Sequence, residues 1–157
     1  AVGGAWADAF TDTMQELSSR EGSIQLYTGL TLWYGTEALA RAGERERAAE
    51  EVQRFGEHIG TSLRYRLPYL RALSVLAQFR GEIDAAIAHL QEAAQLAEEM
   101  GLPGELCSIW VALGKMYQKQ SDERHAHQMF ARAAEIIQSL ANKIEDEQQR
   151  TTFLSAR

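Results

Sequence analysis

Long apolar runs are missing from this chain: no stretch approaches the roughly 20 consecutive apolar residues of a membrane span, and no basic-then-apolar leader stands at its start. A membrane partner is therefore not expected. Cysteine is limited to Cys107, which rules out a disulfide within the chain and makes a reducing, cytoplasmic setting the expectation. Proline is limited to Pro68 and Pro103, leaving long stretches free to be helical. An excess of basic residues is also missing. The net charge is −6, and arginines are interleaved with acids, as in Glu44-Arg45-Glu46-Arg47, whereas nucleic-acid binding draws most of its affinity from a basic face. No nucleic-acid partner is expected. The glycines form neither G-x-x-x-x-G-K nor G-x-G-x-x-G, so no phosphate-cradling loop is expected. The chain opens Ala-Val-Gly-Gly without methionine, and is expected to be a piece of something longer.

The residues that are abundant are the strong helix formers Ala, Leu, Glu, Gln and Arg. Three turn-like segments, Arg41-Ala42-Gly43-Glu44, Phe79-Arg80-Gly81-Glu82 and Lys119-Gln120-Ser121-Asp122, each precede an alanine-rich amphipathic run. Superposed, they align Ala48, Ala86 and Ala126, spaced 38 and 40 residues apart. Gly43 and Gly81 suit the left-handed residue that closes a helix. In the third turn Ser121 or Asp122 can cap the helix that follows.

This register predicts helices over 6–20, 24–42, 44–58, 66–80, 82–100, 103–120 and 122–143, with a short tail helix near 146–154. No alternating strand pattern is present. Connections of a few residues make neighbouring helices antiparallel. In the fifth helix Ile83, Ala86, Ile87, Leu90, Ala93, Ala94 and Ala97 recur at three and four. One helix pair cannot cover so wide a stripe, so adjacent pairs must bury it together.

The last pair carries a signature. Trp110, Leu113, Gly114, Tyr117, Ala126, Phe130 and Ala133 have the types and spacing W-x2-L-G-x2-Y, then A-x3-F-x2-A, and so resemble the tetratricopeptide repeat. The second pair matches at Leu70, Leu73, Ser74, Ala77, Ala86, Leu90 and Ala93. The first keeps Leu32, Leu39, Ala48, Val52 and Phe55, but has Gly35 and Thr36 where leucine and glycine are expected. The period exceeds the family's usual 34 residues. In this it resembles the C-terminal arrays of bacterial signalling ATPases, nucleotide cyclases and maltose-regulator-type transcription activators. The resemblance implies an all-α fold of antiparallel helix pairs stacked as an open right-handed superhelix, with about seven helices and a tail. It would be one array over 1–157: an incomplete N-terminal repeat at 5–20, repeats at 24–60, 63–101 and 103–143, and a tail helix at 145–156.

Catalytic chemistry finds no support in these residues. His125 and His127, two apart, point to different faces of a helix, and His58 and His89 lie on other helices, so no metal site is expected. Cys107 has no histidine at a familiar spacing and reads as structural. The acidic runs Glu98-Glu99 and Glu145-Asp146-Glu147 read as solvated faces. No cofactor is expected, and the chain is expected not to be an enzyme.

The resemblance implies a groove lined by the first helix of each pair. Carried over by register, its residues are Trp33, Glu37 and Arg41, then Arg71, Val75 and Phe79, then Val111, Lys115 and Lys119. Such a groove would take an extended peptide or a partner helix. Trp33 and Phe79 read equally as packing residues between repeats. The asparagine and lysine set with which some members grip a terminal carboxylate is absent. The expected function is thus a non-catalytic protein-binding scaffold within a larger bacterial regulator. The alternative is a self-association or sensing module, such as a homodimer, that oligomerises through an N-terminal edge of Trp6, Phe10, Met14 and Leu17.

Overall fold

The computed structural model describes residues 23–155. Among them the chain forms six helices and no strand: α1 (Ser23–Arg41), α2 (Arg45–His58), α3 (Leu63–Arg80), α4 (Ile83–Glu99), α5 (Pro103–Lys119) and α6 (Glu123–Ser155). The helix expected over 6–20 lies outside the described residues. Two compact units divide the chain, Ala1–Leu96 and Ala97–Arg157, with the boundary inside α4.

Each reversal between α1 and α2, α3 and α4, and α5 and α6 is made by the same few backbone bonds. The amides of Glu44, Glu82 and Asp122 donate to the carbonyls of Leu39, Ala77 and Tyr117, each at 2.9 Å. One residue earlier, Gly43, Gly81 and Ser121 donate to Ala40, Gln78 and Gln118 at 3.2, 3.1 and 2.9 Å. This pairing satisfies the last carbonyls of one helix and requires a left-handed residue at the reversal. Gly43 and Gly81 supply it at φ 88° and 80°, and the third turn forces Ser121 to φ 61°. The next helix opens at once: Ala48, Ala86 and Ala126 each donate their amide to Glu44, Glu82 and Asp122 at 3.0 Å. All three alanines are 0–1% exposed.

In the first unit α1 packs on both α2 and α3, and α2 packs on α3. They enclose Leu32, Leu39, Ala48, Val52, Ala72 and Leu76, with Phe55, Tyr69 and Leu73 against them. The ring of Tyr69 lies so close to Gly56 that an added Cβ would come within 2.8 Å of it. α4 is tied to α3 by the Ser74 hydroxyl, which donates to the Ala86 carbonyl at 3.1 Å, and by Arg66 Nε to Glu92 at 3.0 Å. The α4 residues Ala86, Ile87, Leu90, Ala93 and Ala94 are buried, as their spacing predicts.

In the second unit α5 packs on α6, and the contacts run in opposite order along the two helices. Tyr117 stacks on His125 at 5.2 Å, Phe130 fills the space beside Gly114, and Arg132 lies 4.9 Å from the Trp110 ring centre. Further along, the Cys107 thiol reaches the Ala133 carbonyl at 3.6 Å. Ile109, Leu113, Met116, Ala126, Met129 and Ala133 are buried. Trp110 is only partly buried: its ring lies beneath Arg132, and Ile109 and Leu113 take the interior places.

The expected break between 143 and a tail helix does not occur. α6 is one helix of 33 residues, because neither glycine nor proline interrupts Glu123–Ser155. At 1.5 Å per residue it is about 50 Å long, roughly twice α5. Every described residue beyond Leu140 is exposed, Ile144 at 57% among them.

Two stability measurements check this packing. Leu113→Ala removes a side chain with no exposure and should cost about 3 kcal/mol in urea unfolding. Trp110→Ala should cost less, about 2 kcal/mol, because its ring is partly solvated; the reverse order would contradict the burial. Ser121→Gly relieves a left-handed conformation and should raise stability by about 0.5–1 kcal/mol, where an unchanged or lower melting temperature would count against the turn.

Candidate functional site

Six of the expected groove residues lie on α1 and α3 of the first unit, two helices that pack on each other. Trp33, on α1, is half-buried. The Arg71 guanidinium, from α3, sits 3.8 Å from its ring centre, and the Tyr34 ring stacks at 3.6 Å with an interplanar angle of 28°. Two groups this close cannot share one face of an indole, so Trp33 is sandwiched between them. Arg71 is only 5% exposed. It therefore supports Trp33 from beneath rather than offering its charge to solvent, a desolvated cation–π contact worth about 2 kcal/mol. Tyr34, which the sequence reading passed over, is 59% exposed and is the aromatic that this face presents. Stacking on its chain neighbour is a geometry that helical periodicity does not reveal.

Glu37 and Arg41, one turn apart on α1, form an ion pair at 2.6 Å, with Arg41 Nε also donating to Glu37 at 3.0 Å. Val75 and Phe79 are half-buried on α3, and Arg45, the first residue of α2, lies 6.0 Å from the Phe79 ring centre. The structure thus joins Trp33 with Arg71 and Glu37 with Arg41. Val111, Lys115 and Lys119 lie in the second unit, on α5, where Val111 is half-buried and both lysines are exposed. The proposed edge of Trp6, Phe10, Met14 and Leu17 lies outside the described residues.

His58 and Asp122 have structural partners. His58 Nδ1 lies 2.7 Å from the Arg54 carbonyl. Among the described residues no group of three or more His, Cys, Asp and Glu is placed to hold a metal ion. Asp122 settles the choice left open between it and Ser121: its carboxylate caps α6. The His125 amide donates to one oxygen at 3.1 Å, and His125 Nδ1 lies 2.6 Å from the other. The backbone bond first, and the side-chain bond after it, hold the Asp122 carboxyl below its ordinary value of 3.8, because both favour the charged form.

Comparison with known proteins finds no matching family model, no matching curated protein and no matching solved structure.

Because the folded carboxyl of Asp122 titrates below the unfolded one, its contribution to stability is complete above the unfolded value. It is lost as pH falls through the lowered folded value. The difference in urea midpoint between the protein and Asp122→Ala should therefore be largest near neutrality and shrink below about pH 4. A difference independent of pH would show that the carboxylate is not the cap.

Proposed function

We propose that this chain is a non-catalytic scaffold that binds a peptide or partner helix, built from tetratricopeptide-like helix pairs and belonging to a larger bacterial regulatory or signalling protein of the cytoplasm. The observation that carries this reading is the recurrence of one hairpin. The same turn bonds and the same buried alanine return at successive places, each alanine with a buried small or compact residue twelve positions before it (Thr36, Ser74 and Gly114). Hairpins of this kind exist to be laid side by side, and an array of them would present a preorganised surface whose ordering cost is already met by folding. Nothing in that surface needs to react. Its work would be to hold a segment in place, with the exposed aromatic and the arginines as the natural anchor points.

Panning a displayed peptide library on the chain tests this. Selected peptides should lose roughly tenfold or more in affinity on Tyr34→Ala combined with Val75→Asp, as expected when central anchors are removed, while circular dichroism stays unchanged. Selection that yields no peptides, or peptides indifferent to both changes, would remove the face as a binding site. The self-association alternative would use the N-terminal edge of Trp6, Phe10, Met14 and Leu17, which lies outside the described residues. Light scattering over a concentration series separates the two, since a scaffold of this kind stays at its 17.5 kDa monomer mass.

A further inference from the structure

Charge is unevenly divided over this acidic chain. On α3, Arg64, Pro68, Arg71, Val75 and Phe79 follow one another at three and four residues and so lie along one side of the helix. That line carries no acid. Arg45 stands beside its Phe79 end, 6.0 Å from the ring centre, and on the neighbouring α1 the Glu37 carboxylate is engaged with Arg41 at 2.6 Å. Arg41, Arg45 and Arg64 are all exposed, on a molecule whose net charge is −6.

Helix electrostatics explains one of these cations and not the others. Arg41 lies in the last turn of α1, where the macrodipole favours positive charge. Arg45 and Arg64 are the first and second residues of α2 and α3, where the same dipole disfavours it. Their position works against their own helices. In the second unit, taken by itself, the corresponding line on α5 (Gly104, Ser108, Val111, Lys115 and Lys119) also carries no acid, but its exposed cations, Lys115 and Lys119, stand toward the end of the helix.

We propose that the face formed by α1 and α3 docks an acidic, extended segment of a partner protein. Its carboxylates would meet Arg41, Arg45 and Arg64, and an apolar side chain would rest against Tyr34 and Val75. This deepens the scaffold reading and depends on it. The carboxylates are those of side chains, so the segment needs no free C-terminus. A peptide fits better than a nucleic acid. A strand of phosphates needs a continuous run of cations, whereas here three guanidiniums are interrupted by apolar side chains and the surrounding surface is acidic.

Fluorescence polarisation tests this with three labelled probes: an amidated twelve-residue peptide of glutamate, leucine and glycine, its lysine-for-glutamate counterpart, and a twelve-nucleotide single-stranded DNA. The acidic peptide should bind at least ~10-fold tighter than the other two and weaken as salt screens the contacts. Arg45→Glu with Arg64→Glu should reduce its affinity by about tenfold, whereas Arg54→Glu, elsewhere on α2, should not. If both peptides bind equally and both are lost on Tyr34→Ala, the scaffold reading stands and the acidic partner falls. If neither peptide binds, both readings fall together. Preference for the DNA, or equal loss on Arg54→Glu, would also overturn the proposal. Unchanged thermal melting of each variant shows that folding is not the cause.

Discussion

The tight turn between paired helices, and the alanine four residues beyond it, are the constraint on which the remaining structure depends. A carbonyl at the end of one helix must find a donor, and the residue that lets the chain double back to provide it has to adopt positive φ. Once the chain has turned, the second helix starts within one residue and lies against the first. The closest approach then falls near Ala48, Ala86 and Ala126, whose burial leaves no room for a larger side chain. The larger neighbours take their positions from this. Leu39, Val52, Leu70, Ile109 and Leu113 fill what the close crossing leaves open.

The residue twelve positions before each alanine shows how one register tolerates different chemistry. Gly114 leaves room for the Phe130 ring, which would lie 2.6 Å from a Cβ there. Ser74 instead turns its hydroxyl on the Ala86 carbonyl. Thr36 returns its hydroxyl to the Leu32 carbonyl one turn back, at 2.8 Å. All three positions are buried. A buried hydroxyl is acceptable because each finds an acceptor close by, so the repeat survives departures from its glycine.

The face shared by α1 and α3 rests on that frame. Packing two helices side by side brings Arg71 beneath Trp33, and covering both sides of the indole makes Tyr34 the outward aromatic. Arg71 is thus removed from direct contact with any ligand, and exposed charge passes to Arg41, Arg45 and Arg64. Exposed groups and the packing beneath them are here neighbours on one face.

The helices were legible in the sequence because their signals are local: apolar residues at three and four, glycine at a helix end, and few prolines. The register of Ala48, Ala86 and Ala126 was legible for the same reason. The unbroken course of α6 was also within reach, since Glu123–Ser155 holds no glycine or proline. The partial exposure of Trp110, the burial of Arg71 and the outward position of Tyr34 were not legible. Each depends on which side chain from another helix, or from the next residue, covers a given ring, and periodicity along one helix carries no information about that. The sequence by itself determined where helices begin, turn and bear small residues, because those choices are settled by backbone hydrogen bonds within a few positions. Tertiary structure alone decided which aromatic and which charges face solvent, because that is settled by competition for the same space between residues far apart in the chain.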